Sequence, residues 1–123
     1  MSYMLLILEP TGQRSTRNEA EGHAVYDRML RFGDDLKRRG LLRATESLSG
    51  HAGATRVQVR GGEAQMRDGP FAEAKEMVGG FYLIDCKTHE EALAIASQCP
   101  AAEWATVEVR ALAPCYEDGV RQG

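Results

Sequence analysis

Apolar and polar positions change period several times along this chain, and each change marks an element. Met4 to Leu8 are five consecutive apolar residues, so Tyr3 to Glu9 reads as a strand, stopped by Pro10 and the turn-forming Thr11 and Gly12. Val25, Met29, Phe32 and Leu36 then recur at spacings of 3 and 4, with Asp27, Arg28, Arg31, Asp34, Lys37 and Arg38 mainly elsewhere. That spacing predicts a helix running to about Arg39. Gly40, behind the basic turn Lys37 to Arg39, suits a left-handed cap at the negative end of the helix dipole. Gly33, inside the helix, is a mild cost in propensity.

Leu42 to Leu48 is a weaker second strand that leads into the small-residue loop SGHAGA. Thr55 to Arg60 alternates, Val57 and Val59 pointing one way and Arg56, Gln58 and Arg60 the other. The pair Gly61 and Gly62 supplies the positive φ of a tight hairpin turn, and Glu63 to Arg67 returns as the partner strand. Gly79 to Cys86 is the next strand, with Gly79 and Gly80 permitting a bulge or a close backbone approach. Thr88 and Glu91 form a capping box for a second helix, whose inner face is Ala92, Leu93, Ile95 and Ala96, and Pro100 stops it. Thr106 to Leu112 is the last strand, with Val107 and Val109 inward and Glu108 on the other side.

This order gives a ferredoxin-like α+β plan with an added β-hairpin, in one domain spanning residues 1–123. Two helices cover only one face of an antiparallel sheet. Met4 to Leu8 and Phe81 to Ile84 are apolar on consecutive residues, so both faces of those strands call for burial. A second copy is the simplest cover, and the expectation is a homodimer in which two sheets pack face to face as a dimeric α+β barrel.

Composition narrows the function classes. Apolar residues make up 43% and charged residues 27% of the 123 positions, as in a soluble globular protein. A formal charge of -3 argues against a phosphate-backbone binder, so no nucleic-acid partner is expected. The opening apolar run is too short for a signal peptide or membrane helix. The three cysteines, Cys86, Cys99 and Cys115, have no CxxC spacing, which suggests neither a zinc site nor a disulfide framework and points to the cytoplasm. No metal or cofactor is expected. The polar tail YEDGVRQG reads as mobile.

The run DGPFAEAKE from Asp68 to Glu76, followed by GGFYLID and later by TVEVR at Thr106 to Arg110, resembles the DGPF branch of the YCII-related family, and the opening YMLLI fits it too. The resemblance covers nearly the whole chain. It implies a dimeric α+β barrel, a cleft for small organic molecules between sheet and helices, and an association with extracytoplasmic-function sigma factors. Better-studied members resemble acid/base enzymes that pair a histidine on helix one with an aspartate immediately before a helix-two proline. Here Cys99 precedes Pro100, and the corresponding part of helix one carries Asp27 and Arg28.

Among groups able to carry chemistry, Asp68 is a candidate general base and ligand contact, although Asp, Gly and Pro in sequence also describe an Asx turn. His23 is the histidine of choice for proton transfer, since its unperturbed pKa lies near neutrality. Phe71 is an anchor or stacking surface, and Lys75 and Glu76 are a charged rim that could meet an anionic ligand. Glu108 is a ligand-facing carboxylate or half of an ion pair with Arg56, Arg60 or Arg110. The function read from these residues is a cytoplasmic homodimer binding a small organic ligand in a cleft, in a regulatory or accessory role. Two alternatives stand beside it: a cofactor-free isomerase or lyase using His23 and Asp68, and a structural interaction module for a transcription factor.

Overall fold

Alternation along the first strand decides the layout. In the computed structural model, which describes residues 1–118, Tyr3, Leu5, Ile7 and Glu9 are buried while Met4, Leu6 and Leu8 are half-buried, so one face of the strand meets the helices and the other does not. The elements follow in the order β1 (Ser2–Pro10), α1 (Glu19–Arg38), β2 (Leu42–Ser47), β3 (Thr55–Arg60), β4 (Glu63–Asp68), β5 (Glu76–Asp85), α2 (His89–Gln98) and β6 (Thr106–Ala111). The four-stranded sheet is antiparallel throughout, in the order β2-β5-β1-β6, and β3 with β4 forms a separate hairpin. This is the ferredoxin-like α+β arrangement with an added hairpin that the order of elements predicts. The end of the polar tail, residues 119–123, lies outside the described residues.

Caps and turns form where their chemistry places them. Asn18 accepts a hydrogen bond from the Glu21 backbone N–H while the Glu21 carboxylate accepts one from Asn18, so α1 begins six residues before its first periodic apolar position, Val25. Gly40, at φ 73°, closes the helix, and Leu41 N–H reaches back to the Leu36 carbonyl at 2.9 Å. Thr88 caps α2, accepting from Glu91 N–H at 3.1 Å, but the Glu91 carboxylate accepts from Lys87 N–H at 3.1 Å instead of from Thr88, so only half of the expected capping box forms. The hairpin turn uses positive φ at both Gly61 and Gly62.

The core lies between the sheet and the two helices. Tyr3, Leu5, Tyr82 and Ile84 from the sheet meet Phe32 and Leu36 from α1 and Ala92, Ile95 and Ala96 from α2. Leu93, expected on the inner face of α2, is 43% exposed, because one residue past Ala92 turns the helix by about 100°. Gly33 finds its reason here. A Cβ at that position would stand 3.4 Å from the Tyr82 ring, so the glycine lets α1 approach the sheet closely. Tyr82 uses that proximity: its hydroxyl donates to the Met29 carbonyl at 2.6 Å, and burial pushes its pKa up. Burial also raises the thiols of Cys86 and Cys99 above their ordinary value, so neither is a ready nucleophile.

The opposite sheet face carries Met4, Leu6 and Leu8 from β1, in register with Leu83, Phe81 and Val78 of β5. Glu108 and Arg110 of β6 stand beside Leu6 and Met4 on that same face. No helix among the described residues covers it. Val57, Val59, Ala64 and Met66 share one face of the hairpin and are exposed, Met66 to 72%.

Candidate functional site

α1 packs unevenly, and a cleft is the result. Its buried residues, Phe32, Gly33 and Leu36, all lie in its C-terminal half, while Val25 and Met29 are only half-buried and Tyr26 and Leu30 are exposed. Beneath the N-terminal half, β5 presents Gly79 and Gly80. Pairing with β1 shifts from Ile7–Gly80 to Leu8–Val78, which leaves Gly79 as the extra residue of a bulge. Two residues without side chains under a poorly seated helix leave a cavity of about 540 Å³. Val25, Tyr26, Met29 and Leu30 of α1 line it, with Ile7, Leu42, Tyr82 and Trp104 from the other side.

Its polar end is built by Glu9, which continues the inward alternation of Tyr3, Leu5 and Ile7 and is 9% exposed. Arg14, from the short 3-10 turn Gln13–Thr16, donates Nε–H to Glu9 Oε1 at 2.5 Å and Nη2–H to Oε2 at 3.3 Å. Arg14 also donates to the Gly79 carbonyl at 3.4 Å. Gly79 is required by this contact, since a Cβ would sit 2.1 Å from Glu9 Oε2 and 3.0 Å from Arg14 Nη2. The Gln13 amide donates to the Trp104 carbonyl at 2.7 Å and so ties the turn to the segment before β6. Arg17 lines the cavity too, with its guanidinium 5.8 Å from the Trp104 ring centre, and Arg28 lies 5.2 Å from the same ring while paired with Glu103. Arg17 has no carboxylate partner among the described residues.

None of the six candidate site residues, His23, Asp68, Phe71, Lys75, Glu76 and Glu108, lines this cavity. His23 is exposed on α1 beside the cavity-lining Gly22. Asp68 ends β4, where its carboxylate accepts a hydrogen bond from the Thr55 hydroxyl at 2.8 Å, a cross-strand contact in place of an Asx turn. Phe71 is an anchor, 2% exposed, yet it belongs to the hairpin rather than to the main core. The Arg56 guanidinium lies 3.8 Å from its ring centre and the His51 ring 5.2 Å away. Lys75 is exposed, with its carbonyl accepting from Thr11 N–H at 2.9 Å, and Glu76 is exposed at the start of β5 opposite Pro10. Glu108 is exposed on the open sheet face, and no ion pair with Arg56, Arg60 or Arg110 forms among the described residues. Arg56 turns instead to Glu73 at 3.3 Å, and Arg67 reaches the same carboxylate at 2.7 and 2.8 Å.

A family model for the YCII-related domain matches residues 1–115. The chain belongs to the YCII-related family. A 60-residue stretch of this YCII-related domain is 50% identical to an uncharacterised protein of Rhizobium meliloti (strain 1021). The match spans 47% of the chain and 48%, about half, of that relative.

Within the YCII-related domain the cavity can do three things chemically. Its walls can bury an apolar body, Glu9 can offer a carboxylate held by Arg14, and the Arg17 guanidinium can hold a negative charge. Among the described residues no group of three or more His, Cys, Asp or Glu is placed to hold a metal ion, and no helix is long and apolar enough to cross a membrane. Sequence reading stopped short of Glu9, Arg14, Arg17 and Trp104. Glu9 had a usable signal, because a period of two from Tyr3 puts it on the buried face, where a carboxylate must find a partner. Arg14, five residues on, is that partner.

Proposed function

We propose that this YCII-related domain, a member of the DGPF branch, is a cytoplasmic homodimer that binds a small organic molecule in the cleft between α1 and the sheet, in an accessory or regulatory role. The carrying observation is the cavity itself. Its volume of about 540 Å³ falls in the range of small-molecule sites, and it joins apolar walls to a few converging polar groups. The homodimer rests on the open sheet face, where Met4, Leu6, Leu8, Val78, Phe81 and Leu83 form one apolar stripe that no part of the described chain covers. Packing two such faces would place Glu108 and Arg110 at the seam between the sheets.

The test is a thermal-shift screen of a metabolite library on the purified protein, with Met29→Trp as a filled-cavity control, because a ligand that binds only the folded form raises Tm by mass action. Hits that stabilise the protein and lose their effect in Met29→Trp support the reading. Hits that ignore the substitution place binding elsewhere, with Asp68, Phe71, Lys75 and Glu76 the next surface to examine. Light scattering tests the assembly: a mass of 13.5 kDa at micromolar concentration removes the homodimer.

A second reading, cofactor-free proton transfer in an isomerase or lyase, is favoured by one observation. Glu9 places a carboxylate on the cavity wall, which gives that chemistry a base distinct from His23 and Asp68.

A further inference from the structure

Six charged residues border the cavity, Glu9, Asp34 and Glu46 against Arg14, Arg17 and Lys37, and with Glu46 set aside because of where its side chain lies, one positive charge is left. Glu9 and Arg14 neutralise each other through two hydrogen bonds. Asp34 and Lys37 stand at the far end of the α1 stripe with one charge each. Glu46 borders the cavity but is in register with Phe81, so its side chain belongs to the opposite face of the sheet. Arg17 is left over, a cation on the cavity wall beside Trp104 and without a carboxylate partner among the described residues.

Resting on the ligand-cleft reading above, we infer that the cavity takes an organic monocarboxylate, with its carboxylate against Arg17 and its apolar body lying between α1 and the sheet. Three physical points converge on that class. A guanidinium meets a planar carboxylate with two parallel N–H donors, a geometry a neutral hydroxyl does not match. The surplus is a single charge, so a second acidic group on the ligand would lie near Glu9 without a cation of its own. The rest of the lining, Val25, Met29, Ile7 and Leu42, offers apolar surface and favours a body that is itself apolar.

Arg14 is not the group that meets the ligand, because recruiting it would strand Glu9 on a buried wall. Arg17 is free of that cost. Its ring contact with Trp104 keeps the guanidinium near the cavity without consuming its hydrogen-bond donors.

The test uses 2-naphthoate and the neutral 2-naphthylmethanol as probes, titrated into the full chain at pH 7 and low salt by calorimetry. Arg17→Gln removes the charge from the half-buried residue that caps the Gln13–Thr16 turn, and Arg17→Lys keeps the charge without the fork. The expected result is that 2-naphthoate binds at least tenfold more tightly than 2-naphthylmethanol. Arg17→Gln should abolish that preference while leaving 2-naphthylmethanol affinity unchanged, and Arg17→Lys should restore part of it. Equal affinities for the two probes in the unaltered protein, or a preference that survives in Arg17→Gln, would overturn the monocarboxylate assignment and leave the cleft reading standing. Binding of neither probe at millimolar concentration would overturn both.

Discussion

Removing Arg14 should cost more than an ordinary surface ion pair is worth, and the reason lies in what it leaves behind. The Glu9 side chain is 12% exposed and the Arg14 side chain 38% exposed, so the carboxylate is the buried partner and the guanidinium is half in water. Breaking a fully buried pair by deleting one member costs about 3–5 kcal/mol, whereas an exposed pair is worth about 0–1 kcal/mol. The intermediate burial places Arg14→Met at about 2 kcal/mol. Glu9→Gln leaves a neutral amide that still accepts from Arg14, so its cost is smaller, about 1 kcal/mol. Gly79→Ala attacks the same contact from the other side, because the new methyl would stand 2.1 Å from Glu9 Oε2 and must displace the carboxylate from Arg14. The assay is urea unfolding at pH 7. With a slope of about 1–3 kcal/mol per molar, a 2 kcal/mol loss moves the midpoint by about 1 M. Arg14→Met and Gly79→Ala should be strongly non-additive, since the second change breaks a contact already lost. A midpoint unchanged in Arg14→Met, or fully additive losses in the double variant, would refute the argument that the pair holds the cavity floor together.

Three further outcomes follow from the hairpin and its anchor. Phe71→Ala should cost about 3 kcal/mol within the hairpin and abolish amide protection in β3 and β4, while β1 and β5 keep theirs, because Phe71 packs against His51 and Arg56 and not in the main core. Hydrogen exchange by NMR reads that split directly. Gly69→Ala should be worse tolerated than most alanine substitutions, since its Cβ would fall 1.9 Å from the His51 backbone oxygen and a main-chain atom must give way; the melting temperature measures it. The Glu73 carboxyl is held below its ordinary value of 4.5, first by a hydrogen bond from its own backbone N–H and then by Arg67. Its stabilising effect is therefore present above that value and is lost as pH falls through the lowered one, so the stability gap between the unaltered protein and Glu73→Gln should hold at neutral pH and close as the pH is taken down from 4.5 through the lowered value.

The positions that could be read in advance are those decided locally. Gly61 and Gly62, Gly40, Thr88 with Glu91, and the alternation of Val57 with Arg56 all depend on neighbours within four residues, and each element formed where those neighbours dictate. The DGPFAEAKE run drew attention for its density of charge and turn residues, but its fate was set at long range. Arg56 and Arg67, cross-strand partners on the hairpin, come to lie near the Phe71 ring and hold Glu73, which makes the segment a fastening for β3 and β4. No pattern within the run announces those partners.

The cavity was harder to foresee because it consists of something missing. Val25, Met29, Phe32 and Leu36 form one continuous apolar stripe, and a stripe of that kind predicts contact along its whole length. Contact requires the sheet to offer side chains opposite every turn of the helix. Tyr82 and Ile84 meet the C-terminal half of α1, but one step along β5 the chain offers Gly80 and the bulged Gly79, and α1 loses its counterpart. The same glycines that admit Glu9 and Arg14 to the floor therefore keep Val25 and Met29 from being covered. Half-buried apolar residues above a neutralised ion pair, with Arg17 alongside, are what remains where no side chain of the sheet rises to meet the helix. A glycine pair at the point where a strand passes under a helix, read together with the parity of the neighbouring strand, is thus the signal from which such a cleft could be anticipated.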